Sequence, residues 1–218
     1  MDPPIDARQL YTKRADAYLR FIRSMGYPRG LRAAFLKSPL LGPDLRILDA
    51  GCGTGTLSLA FREAAEARGI AIGGIDAFDL TPAMLDRFRE TIDQSEIEGV
   101  TLAQADVLRL ELLPESWSDY DLVISASMLE YVSRSSFPNA LRGLRRRLHA
   151  GGTLLLFITR NNFLMRPLIG RAWSANLYTR TELEVAFLDA GFSNVSFGRF
   201  PFPYRYLDVW GHVVRARV

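Results

Sequence analysis

The seven residues Asp49-Ala50-Gly51-Cys52-Gly53-Thr54-Gly55 stand between a short apolar run, Arg46 to Ala50, and a segment of helical spacing. Three glycines in such a loop let the backbone approach a ligand closely, because no Cβ stands in the way. A dinucleotide fingerprint would place its third glycine three positions after the second. Thr56 stands there, and the third glycine comes one residue early, at Gly55. Nor does a lysine follow, as a phosphate-binding P-loop requires. The loop therefore suits a nucleoside without a pyrophosphate. Other residues able to do chemistry lie downstream: Asp79 before Leu80-Thr81-Pro82, with Asp76 as a nearby competitor, then Asp106-Val107, Glu130-Tyr131 and His212.

Composition removes several alternatives. Cys52 is the single cysteine and cannot form an internal disulfide, and His149 and His212 are the two histidines, so no Cys/His set for structural zinc exists. No metal is expected. With 48% hydrophobic and 23% charged residues the chain reads as a folded domain, and no run nears the roughly 18 apolar residues that would span a bilayer. Asp2, Asp6 and two early prolines replace the basic start and apolar run of a secretory signal, so a cytoplasmic location is expected. The net charge of +3 comes from scattered arginines. Their one cluster, Arg142, Arg145, Arg146 and Arg147, lies on a helix with Phe137, Leu141, Leu144 and Leu148 on its apolar side, and reads as a solvated face rather than a nucleic-acid surface.

Alternating elements must position these residues. The strand Arg46–Ala50, the glycine loop and a helix with Leu57, Ala60, Phe61 and Ala64 on one side make the first unit. A second strand at about Ala71 to Phe78 precedes Thr81-Pro82, where Thr can cap a helix and Pro suits its first turn. Strands are expected at Val100 to Ala105, Asp121 to Ala126 and Thr153 to Thr159, giving five in parallel. A helix starts near Thr179 or Thr181, each with Glu three residues on, and ends at Gly191. Asn194 to Phe200 and Val209 to Val218 then form an antiparallel pair at the sheet end. The expectation is one α/β domain over residues 1–218: a doubly wound, seven-stranded, mostly parallel sheet with an antiparallel last strand. Residues 1–44 make an N-terminal helical cap and 45–218 the core, with a lid at 160–178.

On the motif Asp49 to Gly55 (DAGCGTG), with Asp79 ahead of Thr81-Pro82 and Ala105-Asp106-Val107 after the third strand, the chain resembles the class I S-adenosylmethionine-dependent methyltransferases over roughly Leu45 to Gly191. That resemblance implies S-adenosylmethionine as cofactor, held by Asp49, Gly51, Cys52, Gly53, Thr54 and Gly55. Asp79 would take the ribose diol, which suits an acceptor-only carboxylate. Asp106 and Val107 would lie at the adenine, Leu80 and Met84 on the ring or ribose, and Ser125 beside the cofactor. Tyr11 and Tyr18 resemble the aromatic lead-in that closes over the cofactor in small-molecule members of the family.

Methyl transfer from a sulfonium depends mostly on in-line positioning and exclusion of water. Family members often carry His where Tyr131 falls, so Glu130 and Tyr131, with His212, are left as the catalytic candidates. The Asp/Asn-Pro-Pro-aromatic tetrapeptide of adenine and glutamine methyltransferases is missing after the fourth strand, which argues against nucleic-acid acceptors. Met128, Arg160, Asn161, Asn162, Trp173 and Tyr178 are the acceptor-side candidates, the last five in the polar and aromatic lid segment. The reading is methylation of a small molecule, O-methylation favoured, by a monomer or homodimer. An RNA methyltransferase and a non-catalytic cofactor-binding partner subunit are the alternatives.

Overall fold

The computed structural model describes residues 19–171 and 173–218. At its centre lies β1 (Arg46–Ala50), whose last four residues are all buried. Its side chains alternate between two cores: Ile47 joins the cluster that holds Leu31, Phe35 and Phe61, and Leu48 the one that holds Phe137, Leu141 and Phe187. A strand covered on both faces reads as an apolar run rather than an alternation, and Asp49, the one charged residue among the buried four, accepts a hydrogen bond from Ser58.

Around it the sheet runs β3-β2-β1-β4-β5-β7-β6. β2 (Gly74–Asp79), β3 (Val100–Gln104), β4 (Tyr120–Ala126) and β5 (Leu148–Thr159) join β1 in parallel. β7 (Gly211–Arg217) lies antiparallel between β5 and β6 (Ser193–Gly198). The seven-stranded α/β sheet expected from the sequence is therefore present. Its strand order reverses between β1 and β4, so their carboxyl ends diverge and leave a crevice. In the β6–β7 ladder Ser193 and Ser196 pair with Arg217 and Arg215, one residue more on β6 than on β7, and Asn194 takes a left-handed φ of 49°.

Beyond the helical residues 19–24, five α-helices lie within the described residues and cover the sheet. α1 (Tyr27–Leu36), α2 (Thr56–Ala67) and α3 (Pro82–Gln94) pack on one face through Phe35, Phe61 and Phe88. α4 (Phe137–Arg145) and α5 (Arg180–Asp189) pack on the other through Leu144, Leu183 and Phe187. The start of α5 is fixed by Thr179, not Thr181: the Thr179 hydroxyl accepts from Glu182 N, and the Glu182 carboxylate accepts from Thr179 N at 2.7 Å. Thr81 stands at the N-cap of α3, but its side chain makes no capping bond.

The arginine-bearing helix departs from expectation. It ends at Arg145, because Leu148 already pairs with Tyr120 and opens β5. Arg145 Nε donates to Gly191 O at 2.8 Å, and Arg147 donates to Trp117 O at 2.7 Å and to Leu110 O. These two side chains tie α4 and its exit to neighbouring loops instead of forming a solvated face.

Candidate active site

A cavity of about 440 Å³ opens at the carboxyl ends of β1, β2 and β4. Its floor is the glycine loop. Gly51 N and Cys52 N both donate to Phe78 O, at 2.8 and 2.9 Å, so the loop is pinned to the end of β2. Gly51 has φ +73°, and a Cβ there would lie 2.2 Å from Met128 Cγ. Gly53 has φ +54° and would meet nothing within 4 Å, so its bare backbone faces open space. Asp79 spans two elements: Oδ2 accepts from Gly53 N at 2.9 Å and Oδ1 from Thr81 N at 2.8 Å. Burial raises the Asp79 carboxyl above its ordinary range, while those N–H donors oppose the rise. Each carboxylate oxygen retains a second lone pair for a ligand hydroxyl.

The same wall carries Thr54, Leu80, Met84, Asp106 and Val107. Asp106 Oδ1 accepts from Leu108 N at 2.9 Å, which fixes the turn after β3. Asp76, the competing acid, accepts from the Tyr120 hydroxyl at 2.7 Å and does not line the cavity. Cys52 does line it, but burial pushes its thiol well above the ordinary range, leaving a neutral packed group.

Three residues expected at the cofactor lie off the cavity wall, and one of them, Gly55, is the left-handed residue that starts α2 and packs against Phe88. Asp49 is fully buried beneath the loop, with Oδ2 accepting from Ser58 Oγ at 2.6 Å and Oδ1 without a partner; desolvation raises its carboxyl to about 7. It ties β1 to α2. Ser125 Oγ donates to Ala50 O at 2.8 Å and ties β4 to β1 within the core. Tyr11 and Tyr18 lie outside the described residues.

On the acceptor side the structure brings Met128 and Tyr131 to the cavity wall. It withdraws the others. Glu130 is 2% exposed; its two oxygens accept from Thr159 N and Thr159 Oγ1, each at 2.9 Å, and burial raises its carboxyl to about 7. It joins the loop after β4 to the end of β5. His212 is buried, with Nε2 3.1 Å from Tyr178 O and its ring edge-on to Phe197, and desolvation lowers its pKa to about 4. Neither touches the cavity wall.

The segment expected as a lid also misses the cavity. Tyr178 is buried and stacks on Phe137 at 4.6 Å, and burial raises its phenol to about 12. Asn161 Oδ1 accepts from Arg166 Nε, and Asn162 anchors its own turn through Leu164 N, Met165 N and Val209 O. Arg160 continues the β5 ladder by donating from its backbone to Trp210 O. Trp173 packs with Met165, Ile169 and Trp210, and Tyr131 packs on the same cluster from the cavity side. The segment therefore backs the wall without forming it.

The rest of the wall was not singled out from the sequence as a site. Leu19, Ile22, Tyr27, Leu31 and Val132 close the acceptor side with apolar surface. Their signal was helical spacing, shared with every core-facing helix.

Residues 47–152 match the family described as "Methyltransferase domain". A carboxy-S-adenosyl-L-methionine synthase from Pseudomonas paraeruginosa is 30% identical over 60% of this chain and 51% of its own length. The probable methyltransferase ltbC of Aspergillus luteorubrus is 33% identical over 56% of this chain and 42% of its own. The chain thus spans about half the length of the curated relatives it matches. Magnesium protoporphyrin IX methyltransferase from Synechocystis PCC 6803 superposes with a TM-score of 0.65 at 17% identity, covering 100% of this chain and 99% of that one. Residues 47–152 are thus similar to a methyltransferase domain, and the sheet has the fold of solved methyltransferases.

Proposed function

We propose that this chain transfers the methyl group of S-adenosylmethionine to an uncharged small-molecule acceptor. The observation that carries the reading is Asp79, held between Gly53 N and Thr81 N at the wall of a cavity lined for the rest mostly by apolar side chains. That arrangement would hold a ribose diol at Asp79, beside apolar side chains that would exclude water. The cavity volume of about 440 Å³ lies within the range of sites for ligands of this size. Bound S-adenosylmethionine supplies an electrophilic methyl on a good leaving group. The residues of this chain contribute binding, orientation and exclusion of water.

Leu19, Ile22, Leu31, Met128 and Val132 line the cavity with apolar surface, which supports an acceptor without carboxylate or phosphate. Tyr131 offers a polar group on that side, the support for a hydroxyl acceptor and O-methylation. With Glu130 and His212 withdrawn, catalysis rests on positioning.

The test is calorimetric titration with S-adenosylhomocysteine, with NADH as control, followed by turnover on a panel of hydroxylated and amino acceptors. Binding of S-adenosylhomocysteine alone and methylation of an uncharged acceptor are expected. Failure to bind would refute the cofactor assignment. Binding without turnover on any acceptor would favour a cofactor-binding partner subunit.

A further inference from the structure

Three segments pack together beside the cavity: residues 19–36, 160–178 and 199–210. Phe21 lies 5.0 Å from the Trp210 ring, Tyr206 donates its hydroxyl proton to Met25 O at 2.9 Å, and Asn162 Nδ2 donates to Val209 O at 2.6 Å. Met165 and Ile169 face inward onto Trp210. Their neighbours face the other way: Phe163 is 91% exposed, and Leu164, Leu168, Tyr206 and Val209 are exposed as well. These segments, Phe202 included, hold six of the ten large hydrophobic residues exposed among the described residues. One exposed aromatic is ordinary, whereas a group gathered on joined segments marks an interaction surface.

Charge separates in the same place. The three segments contain nine arginines and no lysine, against a single carboxylate, Asp208; of the nine, Arg32 pairs with Glu63 of α2 at 3.4 Å, and Arg29 shares a groove with Glu63 and Glu66. The whole chain has 27 basic and 24 acidic residues, so the remainder carries more acids than bases. Arg20, Arg23, Arg166, Arg199 and Arg205 are exposed. Asp208 is turned inward, with Oδ1 accepting from Phe200 N at 2.8 Å. Exposed Phe and Leu interleaved with arginine, with almost no acid, is the chemistry of a surface that sits in the headgroup region of an anionic bilayer. A protein partner of mixed charge would not call for so one-sided a balance.

We propose that this face docks the domain on a bilayer containing anionic lipid, with Phe163, Leu164 and Leu168 entering the acyl boundary and the arginines meeting the headgroups. No helix among the described residues is long and apolar enough to cross a membrane, so the contact is peripheral. Leu19 and Ile22 line the cavity from the first of these segments, so docking places the mouth of the site at the lipid surface. The proposal stands apart from the methyl-transfer reading, since it uses none of the cavity residues for binding.

The experiment is flotation of the full chain with vesicles of phosphatidylcholine alone, and with phosphatidylglycerol replacing about a quarter of the lipid. Binding to the anionic vesicles only is expected, weakening as salt is raised. Phe163→Ser with Leu164→Ser should reduce the partition coefficient about tenfold or more. Arg166→Glu and Arg205→Glu should each reduce it about fivefold or more. Val185→Ser with Leu188→Ser, exposed on α5, should leave it unchanged. Thermal unfolding confirms that each variant is folded. Absence of vesicle binding, or equal binding by the Phe163/Leu164 variant, would overturn the proposal. So would self-association of the wild type, by light scattering, that this variant abolishes, because the face would then belong to a second copy.

Discussion

Glu130 offers the sharpest check on the electrostatics of this fold. Its carboxyl is buried, and burial raises its pKa from the ordinary 4.5 to about 7. A raised acid holds its proton longer in the folded chain than in the unfolded one, so its contribution is present at low pH and is lost as pH rises from about 4.5 through 7. Between pH 5 and pH 8 the linkage relation gives a loss on the order of 2 to 3 kcal/mol from this one group. Glu130→Gln removes the titration and keeps the packing: its amide oxygen can accept from Thr159 N and its NH2 can donate to Thr159 Oγ1, the two atoms that now contact the carboxylate. Urea unfolding of both proteins at pH 5 and pH 8 should therefore show the variant gaining on the order of 2 to 3 kcal/mol relative to wild type at the higher pH. Asp49, raised by the same burial, cancels in the comparison. Parallel pH profiles for the two proteins would refute the reasoning. Loss of turnover in Glu130→Gln at unchanged stability would instead return Glu130 to a catalytic role.

Other expectations follow from named contacts. Asp79→Ala should weaken S-adenosylhomocysteine binding by about 1 to 3 kcal/mol in calorimetry, since it removes a charged acceptor and frees Gly53 N and Thr81 N. Gly51→Ala should lower the melting temperature through both its φ of +73° and its clash with Met128; adding Met128→Ala should recover the clash and leave a backbone cost of about 1 to 2 kcal/mol. Tyr131→Phe should lower kcat while calorimetry shows cofactor affinity unchanged. Thr179→Ala should cost about 1 kcal/mol in urea unfolding by removing the capping box of α5.

The glycine loop and Asp79 were legible in the sequence because their geometry is local. A strand that ends in glycines and opens a helix dictates where its backbone goes, and a carboxylate at the end of the next parallel strand must fall beside it. The acceptor side was not legible. Leu129-Glu130-Tyr131 is a single turn, and whether Glu130 or Tyr131 faces the cavity depends on Thr159, which is 29 residues away in the chain. The asparagines, Tyr178 and His212 were misplaced for the same reason: polar and aromatic residues at a sheet edge can anchor a connection as well as contact a ligand. Arg145 and Arg147 show the converse, since helical spacing cannot reveal the distant carbonyls they reach.

The extra residue in β6 bears on more than local geometry. Among the described residues β6 is an edge strand of the sheet, and its outer row of N–H and C=O groups meets no partner strand. A flat, regular edge there could template the growth of the sheet from one molecule into the next. With Asn194 in the left-handed region the backbone twists out of register at that rim, and serines and a glycine take most of the remaining positions. Restoring the regular ladder by deleting Asn194 would expose a continuous edge. The predicted cost is a tendency to assemble into ordered aggregates at concentrations where the natural chain stays dispersed.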